Sequence, residues 1–122
     1  MKKETDWGKS SHDYHVNKET ITMTIKVEKN RTDLTISLEG RLDTVSAPEL
    51  EKKIGEVISD ITVLTFNLEK LEYISSAGLR VLLSTQKLMN RQGKMKVTHV
   101  SAGVMEIFEV TGFSDILTIV KG

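Results

Sequence analysis

From Ile21 onward the spacing of apolar residues switches between two periods, and that switching leaves few folds open. Met23, Ile25 and Val27 alternate with Thr22, Thr24, Lys26 and Glu28. After a polar stretch over 29–33, Leu34, Ile36 and Leu38 alternate with Thr35, Ser37 and Glu39. A period of two places one set of side chains on each face of a strand, so the two runs predict a hairpin. Ser46-Ala47-Pro48-Glu49 then has the form of a capping box, with Ser46 as N-cap and Glu49 reaching back from N3. Pro48 falls in the first turn, where a missing N–H does no harm. The helix predicted behind it gathers Leu50, Ile54, Val57 and Ile58 on one face and Glu51, Lys52, Lys53 and Glu56 on the other. It stops near Ser59-Asp60. The apolar run 63–68 that follows, with Leu64, Phe66 and Leu68 on one side, reads as a strand. A strand after a helix requires a parallel crossover, hence an α/β layout.

The second half repeats the pattern. Leu71-Glu72-Tyr73-Ile74-Ser75-Ser76-Ala77-Gly78-Leu79-Arg80-Val81-Leu82-Leu83 reads as a strand end, a serine-bearing turn and a helix start. Ser75 or Ser76 can serve as N-cap, its hydroxyl accepting from a first-turn amide. Those amides and the helix dipole favour negative charge, so a serine here suits a phosphate as well as a cap. The helix carries Leu79, Leu82, Leu83 and Met89 inside, widened by Ala77, Val81 and Leu88, with Arg80, Lys87 and Arg91 on the polar side. Gly93 ends it as a C′ residue. Met95, Val97 and His99 alternate in a further strand, which makes His99 a packed or edge histidine without an acidic partner. Ser101 caps a short helix with Val104, Ile107 and Phe108, closed by Thr111-Gly112-Phe113, and 116–120 forms a last extended segment. The predicted order is β-β-α-β-α-β-α-β, an α/β domain with a mixed sheet and helices packed on it.

That domain occupies 21–122. Residues 1–20 are polar and aperiodic, and read as a flexible leader. His12 and His15 within it have a metal-like spacing, but nothing nearby supplies further ligands.

Composition narrows the function. A chain of 122 residues is one domain, and 17 basic against 17 acidic residues leave no cationic surplus for general nucleic-acid binding. The absence of cysteine removes disulfides and thiolate chemistry. No apolar run reaches a membrane span and no signal-peptide core is present, so cytoplasm is the default. No Walker-type glycine loop, histidine-based triad or carboxylate pair in a recognisable context appears, so no catalytic residue, cofactor or metal is expected. The expected state alone is a monomer.

Tyr73-Ile74-Ser75-Ser76-Ala77-Gly78-Leu79 resembles the signature loop of STAS domains, the bacterial anti-sigma factor antagonists. In that family an Asp-Ser-Ser/Thr-Gly-Leu loop follows a strand, and the first hydroxyl after the aspartate is phosphorylated. Three further places resemble the family: Gly40, Leu42 and Asp43 its Gly-x-Leu/Ile-Asp turn, 63–68 its apolar strand, and Thr111-Gly112-Phe113 its Thr-Gly-Leu/Phe ending. The resemblance implies a STAS-type fold over most of the chain and a phosphorylation-switched binding module. It also implies as partners an anti-sigma factor with serine kinase activity and a serine phosphatase. Carried over by position, Ser76 is the phosphoacceptor, with Ser75 its rival. Asp43, Thr44, Ser75, Ser76, Ala77, Gly78 and Arg80 form the partner-binding surface. Two departures stand out: Ser75 replaces the family's aspartate, and Asn67 stands where the family often has another. Both remove negative charge from around the acceptor, and an unswitched STAS scaffold or regulatory subunit is the alternative role.

Overall fold

The computed structural model describes residues 12–15, by their backbone, and 23–120. The hairpin forms as the alternation dictates. β2 (Met23–Asn30) and β3 (Asp33–Leu42) pair antiparallel with Asn30 opposite Asp33. The chain then runs through α1 (Ala47–Val57), β4 (Val63–Ile74), α2 (Ser76–Gln92), β5 (Lys94–Thr98) and α3 (Ala102–Thr111). A 3₁₀ turn (Phe113–Asp115) and a short β6 (Ile119–Val120) complete it. From β3 to β6 each strand lies parallel beside the next, and the sheet keeps chain order throughout.

One face of the sheet supplies the core. Ile25, Leu38, Ile36, Phe66, Leu64 and Val97 are buried together with Leu50 and Ile54 of α1, Leu82 and Met89 of α2, and Val104 and Phe108 of α3. Removing this much apolar surface from water is what holds the layers together. The alternate residues Thr35, Ser37, Thr65 and Asn67 are only half-buried, and Lys26 and Lys70 reach Glu39 at 3.3 and 4.0 Å. The β3–β4 ladder slips twice, between Ser37 and Glu39 and between Gly40 and Arg41. Gly40 takes φ 102°, a conformation that favours glycine. Beyond the second slip Leu42 pairs with Ile74, so both strands finish level.

Several elements differ from the sequence reading. His12–His15 forms a strand, β1, antiparallel to β2 with Tyr14 opposite Ile25. Backbone pairing needs no apolar alternation, which is why the polar leader gave no sign of it. The rest of the 1–20 leader lies outside the described residues, as do the side chains of His12 and His15. His99 lies beyond β5, exposed at φ 58°, with its ring nitrogen 3.1 Å from the Thr98 hydroxyl. In α2 the inner stripe is continued by Thr85 and Gln86, whereas Leu88 is 37% exposed. Gly93 is extended, not left-handed; it is needed because a Cβ there would run into the Thr62 carbonyl. Only Ile119 and Val120 of the segment 116–120 pair as strand. No helix among the described residues is long and apolar enough to cross a membrane.

Candidate functional site

Because β3 and β4 end level, the two helices that follow them start side by side. The Ser75 amide donates to the Leu42 carbonyl at 2.8 Å, tying the second start to the base of the first. Arg41, opposite Tyr73 in the register, lays its guanidinium 4.4 Å from the centre of the Tyr73 ring, a cation–π contact at the rim of the loop.

The first start is closed by Asp43. One carboxylate oxygen of Asp43 accepts from the Val45 and Ser46 amides at 3.0 and 3.1 Å, and its carbonyl accepts from the Ala47 amide at 2.8 Å. Asp43 therefore does the work of an N-cap one turn before the regular helix. The predicted capping box is replaced. Ser46 has helical backbone angles and makes no side-chain cap, and Glu49 is exposed. The Ser46 hydroxyl is wholly buried, accepts from the Asp43 amide at 2.9 Å and donates to the Arg41 carbonyl at 2.9 Å. Burial pushes the Asp43 pKa up, but hydrogen bonds from Ser46 and Val45, with the nearby Arg41 charge, outweigh it and hold the carboxyl below its usual range.

The second start is open. Ser75 takes the extended N-cap conformation (φ −94°, ψ 175°), and its hydroxyl accepts from the Gly78 amide at 3.3 Å. Of the two candidate caps it is the one used. An aspartate at this position would accept the same bond, so serine keeps the cap while removing the charge. Ser76 is the first helical residue, exposed, and its hydroxyl makes no hydrogen bond among the described residues. Gly78 sets how closely α2 approaches the strand ends: a Cβ there would stand 2.7 Å from Leu42 Cγ and 2.9 Å from Ile74 Cγ1. Thr44 is exposed beside Asp43, Ala77 is half-buried, and Arg80 points to solvent.

From this end a groove of about 450 Å³ runs between the helices, lined by Ala47, Pro48 and Glu51 of α1 and Ala77, Arg80 and Lys87 of α2. Of the residues the sequence singled out for partner binding, Asp43 and Thr44 lie at the α1 start and Ser75, Ser76 and Ala77 at the α2 start, with Arg80 one turn on; Gly78 is buried against Leu42 and Ile74 and offers no surface. The structure sets one other apart. Asn67 lies seven residues before Ile74 on β4, roughly 20 Å away at strand rise. There its side-chain oxygen accepts from the Glu69 amide at 3.0 Å, so its identity does not set the charge around Ser76. Sequence reasoning missed the capping role of Asp43 and the Arg41–Tyr73 contact. The spacing of Asp43 and Ser46 was the available signal for the first; no local signal announces a cross-strand pair.

Fold and site together define a small α/β module that presents one uncommitted serine at a helix N-terminus, beside a locked acidic turn. The family model of the STAS domain matches residues 24–121, and the chain belongs to the STAS domain family. The anti-sigma-B factor antagonist of Bacillus subtilis is 29% identical over 100 residues, which cover 81% of this chain and 92% of the relative. Its namesake in Staphylococcus aureus is 30% identical over 104 residues, covering 82% and 96%. Among solved structures, an anti-sigma factor antagonist from Mycobacterium paratuberculosis matches with a TM-score of 0.72 at 26% identity, covering 80% of this chain and 84% of that one. The anti-sigma factor antagonist SpoIIAA in its unphosphorylated form shares the fold, with a TM-score of 0.72 at 22% identity over 80% of this chain and 87% of that one.

Proposed function

We propose that this chain is an anti-sigma factor antagonist. In its unphosphorylated form it binds an anti-sigma factor with serine kinase activity and so releases a sigma factor. Phosphate transferred to Ser76 by that kinase ends the binding, and a serine phosphatase restores it. The chain works in the cytoplasm as a monomer and performs no chemistry of its own. Relatives named as antagonists, covered almost end to end, support the role. The observation that carries the site is the division of labour between two adjacent serines: Ser75 is spent on the helix cap and Ser76 is exposed and unbonded.

The switch follows from local electrostatics. A phosphoserine adds about −1.5 to −2 charges and three acceptor oxygens. At the first turn of α2 the free amides tolerate that charge, so the fold survives. The docking surface does not. A dianion pressed against a partner without a matching cation costs several kcal/mol, which changes affinity by orders of magnitude. Binding to the cognate anti-sigma factor, measured by calorimetry, is expected to survive Ser76→Ala and to weaken at least tenfold in Ser76→Asp. Equal affinities would remove the switch. The loop has no carboxylate at Ser75, and a domain that binds without being switched is the reading that equal affinities would favour.

A further inference from the structure

We infer that Arg80 is the residue that holds the phosphate once Ser76 carries it, so that the modification also withdraws a cation from the docking surface. The inference rests on the proposal that Ser76 is the acceptor. Ser76 and Arg80 lie at i and i+4 on α2, the spacing at which helical side chains are neighbours. Side chains on a helix lean toward its N-terminus, so the turn that contains Ser76 is within reach of Arg80. Both residues are exposed, and Arg80 has no ion-pair or hydrogen-bond partner among the described residues. Glu51 lines the same groove from α1, yet no ion pair joins it to Arg80.

The other charged groups around the loop suit the task less well. Arg41 is held over the Tyr73 ring. Lys87 is three turns further along α2, and Asp43, Glu51 and Glu72 repel a phosphate. A guanidinium matches phosphate geometry with two parallel donors, which a lysine cannot do. Before phosphorylation Arg80 stands free at the rim of the α1–α2 groove, available to an acidic group on the partner. Afterwards it is folded back onto its own helix. The switch therefore both adds a negative charge and removes a positive one.

The test needs no kinase and no partner. Phosphoserine is incorporated co-translationally at position 76 of the full chain, and its second ionisation is followed by phosphorus NMR against pH at low salt. A phosphoserine on its own has this pKa at about 6. A nearby cation favours the dianion and lowers it, so Arg80→Gln is expected to raise the titration by about half a unit. Arg80→Lys should fall between the two, and Arg41→Gln should leave the curve where it was. Because Arg80 is exposed and unpartnered before modification, thermal melts of the unphosphorylated Arg80→Gln and Arg80→Lys chains should coincide with the unphosphorylated parent. Superimposed curves for the parent and Arg80→Gln would overturn the inference, as would a larger shift in Arg41→Gln. Loss of the antagonist role would appear separately, as unchanged partner affinity on phosphorylation with the titration intact.

Discussion

The starts of α1 and α2 sit side by side at the ends of neighbouring parallel strands, yet they are built to opposite ends. At the α1 start the hydrogen bonds interlock around Asp43 and Ser46. Asp43 takes two amides, its carbonyl takes a third, and Ser46 is buried between Asp43 and Arg41. At the α2 start the Ser75 hydroxyl takes one amide at 3.3 Å, its carbonyl takes the Leu79 amide at 2.9 Å, and the next hydroxyl is left to solvent. Saturated hydrogen bonding makes a rigid wall; an unsaturated first turn next to it makes a place where charge can be added without breaking anything.

The contrast can be broken most severely at the contact that sets the spacing. Gly78→Val drives a side chain into Leu42 and Ile74, and should cost about 3 kcal/mol in urea unfolding while displacing the α2 start. Removing the α1 cap comes next. Asp43→Ala should cost about 2 kcal/mol, since the Val45 and Ser46 amides lose their acceptor. The Asp43 pKa is depressed in the folded state, so its stabilisation is present above the unfolded value near 3.8 and is lost as pH falls through the lower folded value. Melts of Asp43→Asn and the parent should therefore differ at pH 7 and converge as pH falls through the depressed folded value. Ser75→Ala removes one long cap bond and should cost about 1 kcal/mol. Ser76→Ala should change stability by less than about 0.5 kcal/mol, because no bond is lost. A Ser76→Ala penalty as large as that of Ser75→Ala would mean that the α2 start is as closed as its neighbour.

Much of this was legible from period alone. The alternation at 22–28 and 34–39 gave the hairpin, and helical spacing gave three helices, because burial on one face enforces both patterns. The serine loop was legible as a strand–turn–helix junction. Other features depend on what stands opposite. Ser46 and Glu49 satisfy the capping pattern on paper, but the bulged end of β3 delivers Asp43 to the amides first. Gly93 looks like a left-handed cap and is instead a point of backbone contact with Thr62. Asn67 sits near the serines only in a list of family positions. β1 carries no pattern to read, since an edge strand is recruited by the free edge of β2.

The most direct measurement of the central claim is phosphopeptide mass spectrometry on the protein from its host. Trypsin cuts after Lys70 and Arg80, releasing residues 71–80 with both serines on one peptide. Phosphate localised to Ser76, with Ser75 bare, is the predicted result. Phosphate on Ser75, whose hydroxyl caps the helix, would contradict it, and so would a peptide unmodified across growth and stress while the protein still binds its partner.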